Sequence, residues 1–168
     1  MRPMRVPNSS GSATPKLKLP AHACDCHMHI YDARFPTGAG AHAPTRQATV
    51  ADYLGVRARL GLGRVVVVQS TAYGADNACT LDAIRQMGDS ARGVAIAGPE
   101  VADAELARLT AAGIRGLRYV MLPGRPSTWE TMPVMAPRIA RFGWNINLQL
   151  RGEERTAKRC SPASRATL

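Results

Sequence analysis

From Ala23 onward the chain alternates between two apolar patterns. Short blocks that are apolar at every second position, or unbrokenly β-branched, read as strands; longer blocks with apolar residues three and four apart read as helices. Residues 23–30, Ala-Cys-Asp-Cys-His-Met-His-Ile, show the first pattern and predict a strand. The stretch 31–48 holds Pro36, Gly38, Gly40 and Pro44 and predicts a long loop. Thr49 is placed to cap a helix that Gly61 and Gly63 close. Arg64-Val-Val-Val-Val-Gln69 is the kind of β-branched run found in strands buried on both faces.

The alternation then repeats. Residues 75–88 predict a helix, Gly93–Ala97 a strand, and Asp103–Ala112 a helix begun by an Asp103 cap. Ile114–Val120 predicts a fourth strand. Residues 129–142 predict a helix weakened by Pro133 and Pro137, and Trp144–Leu150 a fifth strand. Strands alternating with helices argue for a parallel sheet with right-handed crossovers. The strand starts near 23, 64, 92, 114 and 144 leave gaps of 41, 28, 22 and 30 residues. A (β/α)₈ barrel of about 250 residues averages roughly 31 per unit. The expected fold class is therefore α/β: a partial TIM barrel over residues 21–150, with about five parallel strands and intervening helices. A five-stranded flavodoxin-like binding module is the competing architecture. It would show a reversal in strand order, and the chain lacks a phosphate-binding glycine loop after the first strand. Residues 1–20 are expected to be a disordered N-terminal tail. Residues 151–168 carry no apolar period of either kind and read as an aberrant or frameshifted basic tail.

Composition changes this picture little. The 168 residues are 45% hydrophobic and 20% charged, which suits one globular domain. The net charge of +10 is concentrated at the ends: residues 1–18 contribute +4 and residues 151–168 contribute +3, so 10 − 4 − 3 leaves +3 between them. No basic stripe runs through the middle, which argues against nucleic-acid binding. Four cysteines, Cys24, Cys26, Cys79 and Cys160, do not make a disulfide framework, and Cys24 and Cys26 read as buried small side chains rather than zinc ligands. No apolar run reaches membrane-spanning length, and prolines 3, 7, 15 and 20 interrupt any targeting helix, so a cytoplasmic protein without membrane contact is expected. Gly38-Ala-Gly40 and Gly61-Leu-Gly63 lack the third glycine of a dinucleotide loop, and Asp52, Asp82 and Glu105 read as solvated helix-surface carboxylates.

The candidate chemistry sits in His27-Met-His29 at the end of the first strand. Strict alternation places Asp25, His27 and His29 on one face, and Cys24, Cys26, Met28 and Ile30 on the other. The polar set would point into the barrel, with the imidazoles at the C-terminal mouth, where such barrels keep their active sites. Two imidazoles so placed can share a metal ion or bond one substrate oxyanion.

Three ordered motifs carry a resemblance: Cys-Asp-Cys-His-Met-His-Ile-Tyr-Asp at 24–32, Val-Val-Val-Gln-Ser-Thr-Ala-Tyr-Gly-Ala-Asp-Asn at 66–77, and Gly-Ile-Arg-Gly-Leu-Arg at 113–118. Over about residues 20–150 the chain resembles the amidohydrolase-related family, and within it the 2-pyrone-4,6-dicarboxylate lactonase and galactarolactone isomerase branch. The resemblance implies a hydrolase whose substrate is a sugar-acid or dicarboxylate lactone, hydrolysed or isomerised at the barrel mouth. It implies His27 and His29 as catalytic residues facing the lactone carbonyl. They would be metal ligands where a divalent ion such as zinc is bound, although members of this branch work without one. It implies Ser70 or Thr71, and Arg118, as substrate-carboxylate binders, with Arg125 loosely matching a second arginine. Family enzymes draw further groups from later strands, yet His22, His27, His29 and His42 all lie in the first quarter of the chain. Beyond Asp103 the only acids are Glu105, Glu130, Glu153 and Glu154. The chain is accordingly expected to be inactive alone, or to assemble with itself or with a complementary chain through the open edges of a half-barrel.

Overall fold

The computed structural model describes residues 13–38, 46–121 and 128–150. The order of elements is β1 (Cys24–Met28), α1 (Val50–Leu60), β2 (Arg64–Val68), a short 3₁₀ turn (Thr71–Tyr73), α2 (Ala78–Met87), β3 (Ala91–Ala95), α3 (Asp103–Ala111), β4 (Ile114–Val120), α4 (Met132–Ala140) and β5 (Asn145–Gln149). All neighbouring strands pair in parallel, and their order in the sheet is their order in the chain. The sheet curls into a half-barrel with helices between its strands, a partial TIM barrel. A flavodoxin-like sheet reverses direction after its first strand. This one does not, so the competing architecture is excluded.

Local chemistry accounts for the ends of the elements. Thr49 caps α1 in a reciprocal box: its hydroxyl accepts from the Asp52 amide at 3.3 Å, and the Asp52 carboxylate accepts from the Thr49 amide at 2.8 Å. Gly61 ends the helix with φ 72°, a left-handed conformation that glycine adopts without a Cβ clash. Asp103 departs from expectation. It is the first residue of α3 and Ala102 occupies the cap position, because the Asp103 carboxylate instead takes Arg138 and Arg141, at 2.8 and 2.5 Å. Pro133 lies in the first turn of α4, where a missing amide is tolerated, and Pro137 lies inside the helix. The third strand starts at Ala91, two residues before the Gly93 that the apolar pattern suggested.

The core fills the layer between sheet and helices. Leu106, Leu109, Ile114, Leu117, Met135 and Ile139 are almost completely buried there, together with Val65 and Val67 from β2. Gly93 lets α2 approach the sheet: a Cβ at that position would stand 2.6 Å from the Ile84 and Ile114 side chains.

Two bulges break the alternation. The second lies in β4, where Gly93 pairs with Ile114 but Val94 pairs with Gly116, so Arg115 is the extra residue. The first lies in β1 and corrects an expectation. Asp25 pairs with Val65 and Met28 with Val67, three steps against two. Val65 and Val67 face the helices, so Asp25 does too, and the Tyr53 hydroxyl of α1 donates to it at 3.2 Å. Asp25 therefore does not share a face with His29. Cys24 is only half-buried and Cys26 is exposed, against the expectation that both would be packed away.

Residues 13–20 are exposed and form no helix or strand, while the rest of the expected N-terminal tail, the 151–168 tail, His42 and Arg125 lie outside the described residues. Among the described residues no helix is long and apolar enough to cross a membrane. Also among them, β1 pairs only with β2, and β5 only with β4.

Candidate functional site

The sequence-predicted residues gather around the C-terminal end of β2, and three successive positions there do the gathering. The Val68 carbonyl bonds His29 Nδ1 at 2.7 Å. The Gln69 carbonyl accepts from Arg118 Nη1 at 2.7 Å. The Ser70 hydroxyl donates to the Tyr31 hydroxyl at 3.2 Å. Residues from the ends of β1 and β4 are thus tied to consecutive residues of the strand between them in sequence.

His27 and His29 stand with ring centroids 5.1 Å apart, edge to face, and His29 lies 6.2 Å from the Tyr31 ring. The bulge in β1 leaves this pair together even though it turns Asp25 away. A carbonyl oxygen can only accept, so the neutral His29 carries its proton on Nδ1 and keeps the Nε2 lone pair. Burial holds the His29 imidazole below its ordinary range, and Coulomb interaction with Arg118 and His27 pushes the same way. The bond to the Val68 carbonyl opposes them. The result is a neutral imidazole at neutral pH with one accepting nitrogen. Arg118 is 7% exposed, and its Nη2 donates to Gln149 Oε1 at 2.7 Å, so β5 completes its positioning.

The loop after β2 is held by a buried amide. Gln69 is fully buried: its Nε2 donates to the Gly74 and Asp76 carbonyls at 3.0 and 2.8 Å, and its Oε1 accepts from Thr80 at 2.6 Å. Asn77 clamps the loop to β3, accepting from the Ile96 amide at 3.0 Å and donating to the Ile96 carbonyl at 2.9 Å. Ser70 caps the 3₁₀ turn by accepting from the Ala72 amide, and Thr71 begins that turn half-buried. Tyr73 reaches back to the β1–α1 loop, where its hydroxyl accepts from the Asp32 amide at 3.0 Å; burial pushes its phenol up to about 12. Arg34 bridges Asp32 and Asp82 at 2.7 and 2.8 Å, fastening the same loop to α2. Asp82 and Glu105 are thus paired, Glu105 with Arg108 at 2.7 Å, and Asp52 serves the α1 cap, where plain solvation was expected.

Gln69, Asn77, Tyr31 and Gln149 were not singled out from sequence. A signal existed for Gln149: Asn145, Asn147 and Gln149 alternate with Ile146, Leu148 and Leu150, which assigns the polar set to the face of Arg118. Among the described residues no three His, Cys, Asp or Glu side chains stand close enough to hold a metal ion. A catalytic zinc takes three protein ligands. The two histidines alone, with Asp25 turned to Tyr53, do not fit one.

Comparison with known proteins places this geometry. The amidohydrolase family profile matches residues 24–163. A 2-pyrone-4,6-dicarboxylate hydrolase of Comamonas testosteroni is 37% identical over 139 residues, 79% of this chain and 45% of its own length. A D-galactarolactone isomerase of Agrobacterium fabrum is 30% identical over 145 residues, covering 85% and 49%. Among solved structures, an apo Agrobacterium tumefaciens protein superposes with a TM-score of 0.80 at 28% identity, covering 86% of this chain and 52% of that one. A probable 2-pyrone-4,6-dicarboxylic acid hydrolase from Acinetobacter baumannii, crystallised with citric acid, gives 0.68 at 26% identity, covering 76% and 49%. The chain spans about half the length of the curated relatives it matches. On its motifs, its sheet and these matches, the chain belongs to the amidohydrolase family.

Proposed function

We propose that the mouth of this half-barrel is the carboxylate-binding part of a lactone-processing site, with a sugar-acid or dicarboxylate lactone as ligand. The observation that carries the reading is the convergence of His29, Arg118 and Ser70 on three consecutive residues at the end of β2. The names of the relatives, which process a pyrone dicarboxylate and a galactarolactone, support it, as does the citric acid in a structural neighbour. In this reading Arg118 takes a ligand carboxylate by the fork geometry that guanidinium favours. Ser70 or Thr71 adds a neutral hydrogen bond. His27 and His29 face the lactone carbonyl, and His29 Nε2 can accept a proton from an attacking water. No step is routed through a metal.

The Asp25 carboxylate is engaged elsewhere, one oxygen accepting from the Tyr53 hydroxyl and the other from the His27 backbone amide, and Glu105 is paired with Arg108. A missing acid–base partner removes a factor of about 10²–10⁴ in rate. The 168-residue chain is therefore expected to bind a lactone dicarboxylate without ordinary turnover. Ring opening of 2-pyrone-4,6-dicarboxylate, followed by loss of pyrone absorbance, tests this. A rate of order 1 s⁻¹ or above, the lower end of ordinary enzymes, would contradict it. The reading also includes self-association through β1 and β5, whose outer edges are unpaired among the described residues. Light scattering is expected to give a mass above that of one chain, and a strictly monomeric folded species would remove that part.

A further inference from the structure

A second polar feature lies at the other end of the sheet. A cleft of about 620 Å³ opens between α2 and α3 beside the starts of β3 and β4. Four arginines line it, Arg85, Arg92, Arg108 and Arg115, against two aspartates, Asp82 and Asp89; the remaining wall is small or apolar. Arg85 is paired with Asp82 at 2.6 Å and Arg108 with Glu105 at 2.7 Å. Arg92 and Arg115 differ. Each uses a single nitrogen, Nη1, on main-chain carbonyls: Arg92 on Ala91 and Asp89, Arg115 on Thr110 and Ile114. Among the described residues neither makes an ion pair with a carboxylate.

Those carbonyl bonds fix the two guanidiniums while leaving Nε and Nη2 of each unused in them. The β4 bulge makes Arg115 the extra residue of its strand, a device that re-aims a side chain. Gly113, with φ 99°, turns the chain from α3 into β4 at the same wall, a conformation open to glycine and strained for other residues. Every wall of this cleft comes from Leu81 to Arg115, well inside the chain. It is also remote from the mouth, since Arg92 and Arg115 are the second residues of their strands and Arg118 comes three residues after Arg115.

We infer that this cleft is a binding site for a small phosphate-bearing ligand, held by the forks of Arg92 and Arg115 and independent of the lactone site. Fixed guanidiniums that lack carboxylate partners suit phosphate oxygens bidentately. The volume falls in the range of about 300–1,000 Å³ typical of small-molecule sites. The inference does not depend on what the mouth binds.

The test is calorimetric titration of inorganic pyrophosphate into the 168-residue chain and into the double variant Arg92→Gln/Arg115→Gln. Saturable one-site binding is expected, weakened tenfold or more in the double variant and little changed by Arg118→Lys. Absence of saturable binding, or equal affinity in the double variant, overturns the inference and assigns any residual binding to the basic ends of the chain. Citrate that displaces pyrophosphate with equal affinity overturns the phosphate assignment in favour of carboxylates. If the double variant does not fold, amide shifts of the wild-type chain decide. Shifts gathered on Gly88, Asp89, Arg92 and Arg115 support the site, and shifts scattered over residues 1–18 overturn it.

Discussion

The side chains that matter most at the mouth are neutral ones holding charged ones. His29 is the clearest case, since burial and the nearby Arg118 charge hold its imidazole below the ordinary range. Its imidazole should titrate below the ordinary value of about 6.5 in a proton NMR titration; a midpoint at or above that value would contradict the described environment. A depressed folded-state pKa means that the unfolded chain binds the proton more readily, so the contribution of His29 to stability is present above about pH 6.5 and is lost as pH falls through its folded value. Gln69 offers a second check. Replacing it with leucine strands two buried-side carbonyls and the Thr80 hydroxyl, which should cost about 2–4 kcal/mol in urea unfolding. A loss below about 0.5 kcal/mol, the bottom of the range for one ordinary hydrogen bond, would show that the loop does not depend on it. His27, His29, Ser70, Thr71 and Arg118 could all be picked out from the sequence as candidates. The amide that fixes their loop could not, because a glutamine ending an apolar run looks the same whether it meets solvent or three partners from residues 74–80.

At the scale of elements, binary patterning and cap residues gave most boundaries within about two residues. Thr49, Gly61 and the valine run of β2 each announce their element through local chemistry alone. The bulges were not legible. One extra residue in β1 changes which way Asp25 faces without altering the apolar period around it, because the energetic reason lies in the Tyr53 hydroxyl on another element. The same holds for Asp103, drawn to arginines 35 and 38 residues away in place of its own helix amides. The α1 cap makes a quantitative prediction. Thr49→Ala removes the hydroxyl half of the box, leaving the backbone amide of residue 49 on the Asp52 carboxylate, and should lower stability by about 1 kcal/mol, with Thr49→Ser recovering most of it. Equal unfolding midpoints for the three proteins would show that packing of Val50 and Tyr53 alone sets the start of the helix.

For the molecule as a whole, the sequential parallel order is what positions the site. It puts the ends of β1, β2 and β4 on one rim and lets β5 reach Arg118 through Gln149. The spacing of apolar blocks anticipated this arrangement, since 22 to 41 residues per unit suit a strand, a helix and two connections. The central claim is that this rim recognises carboxylates through Arg118. It is tested most directly by calorimetric titration of citrate into the wild-type chain and into Arg118→Gln, both shown by circular dichroism to be folded. Saturable binding that weakens at least tenfold in the variant is the predicted result. Equal affinity in the two proteins, or no binding to either, would contradict the claim.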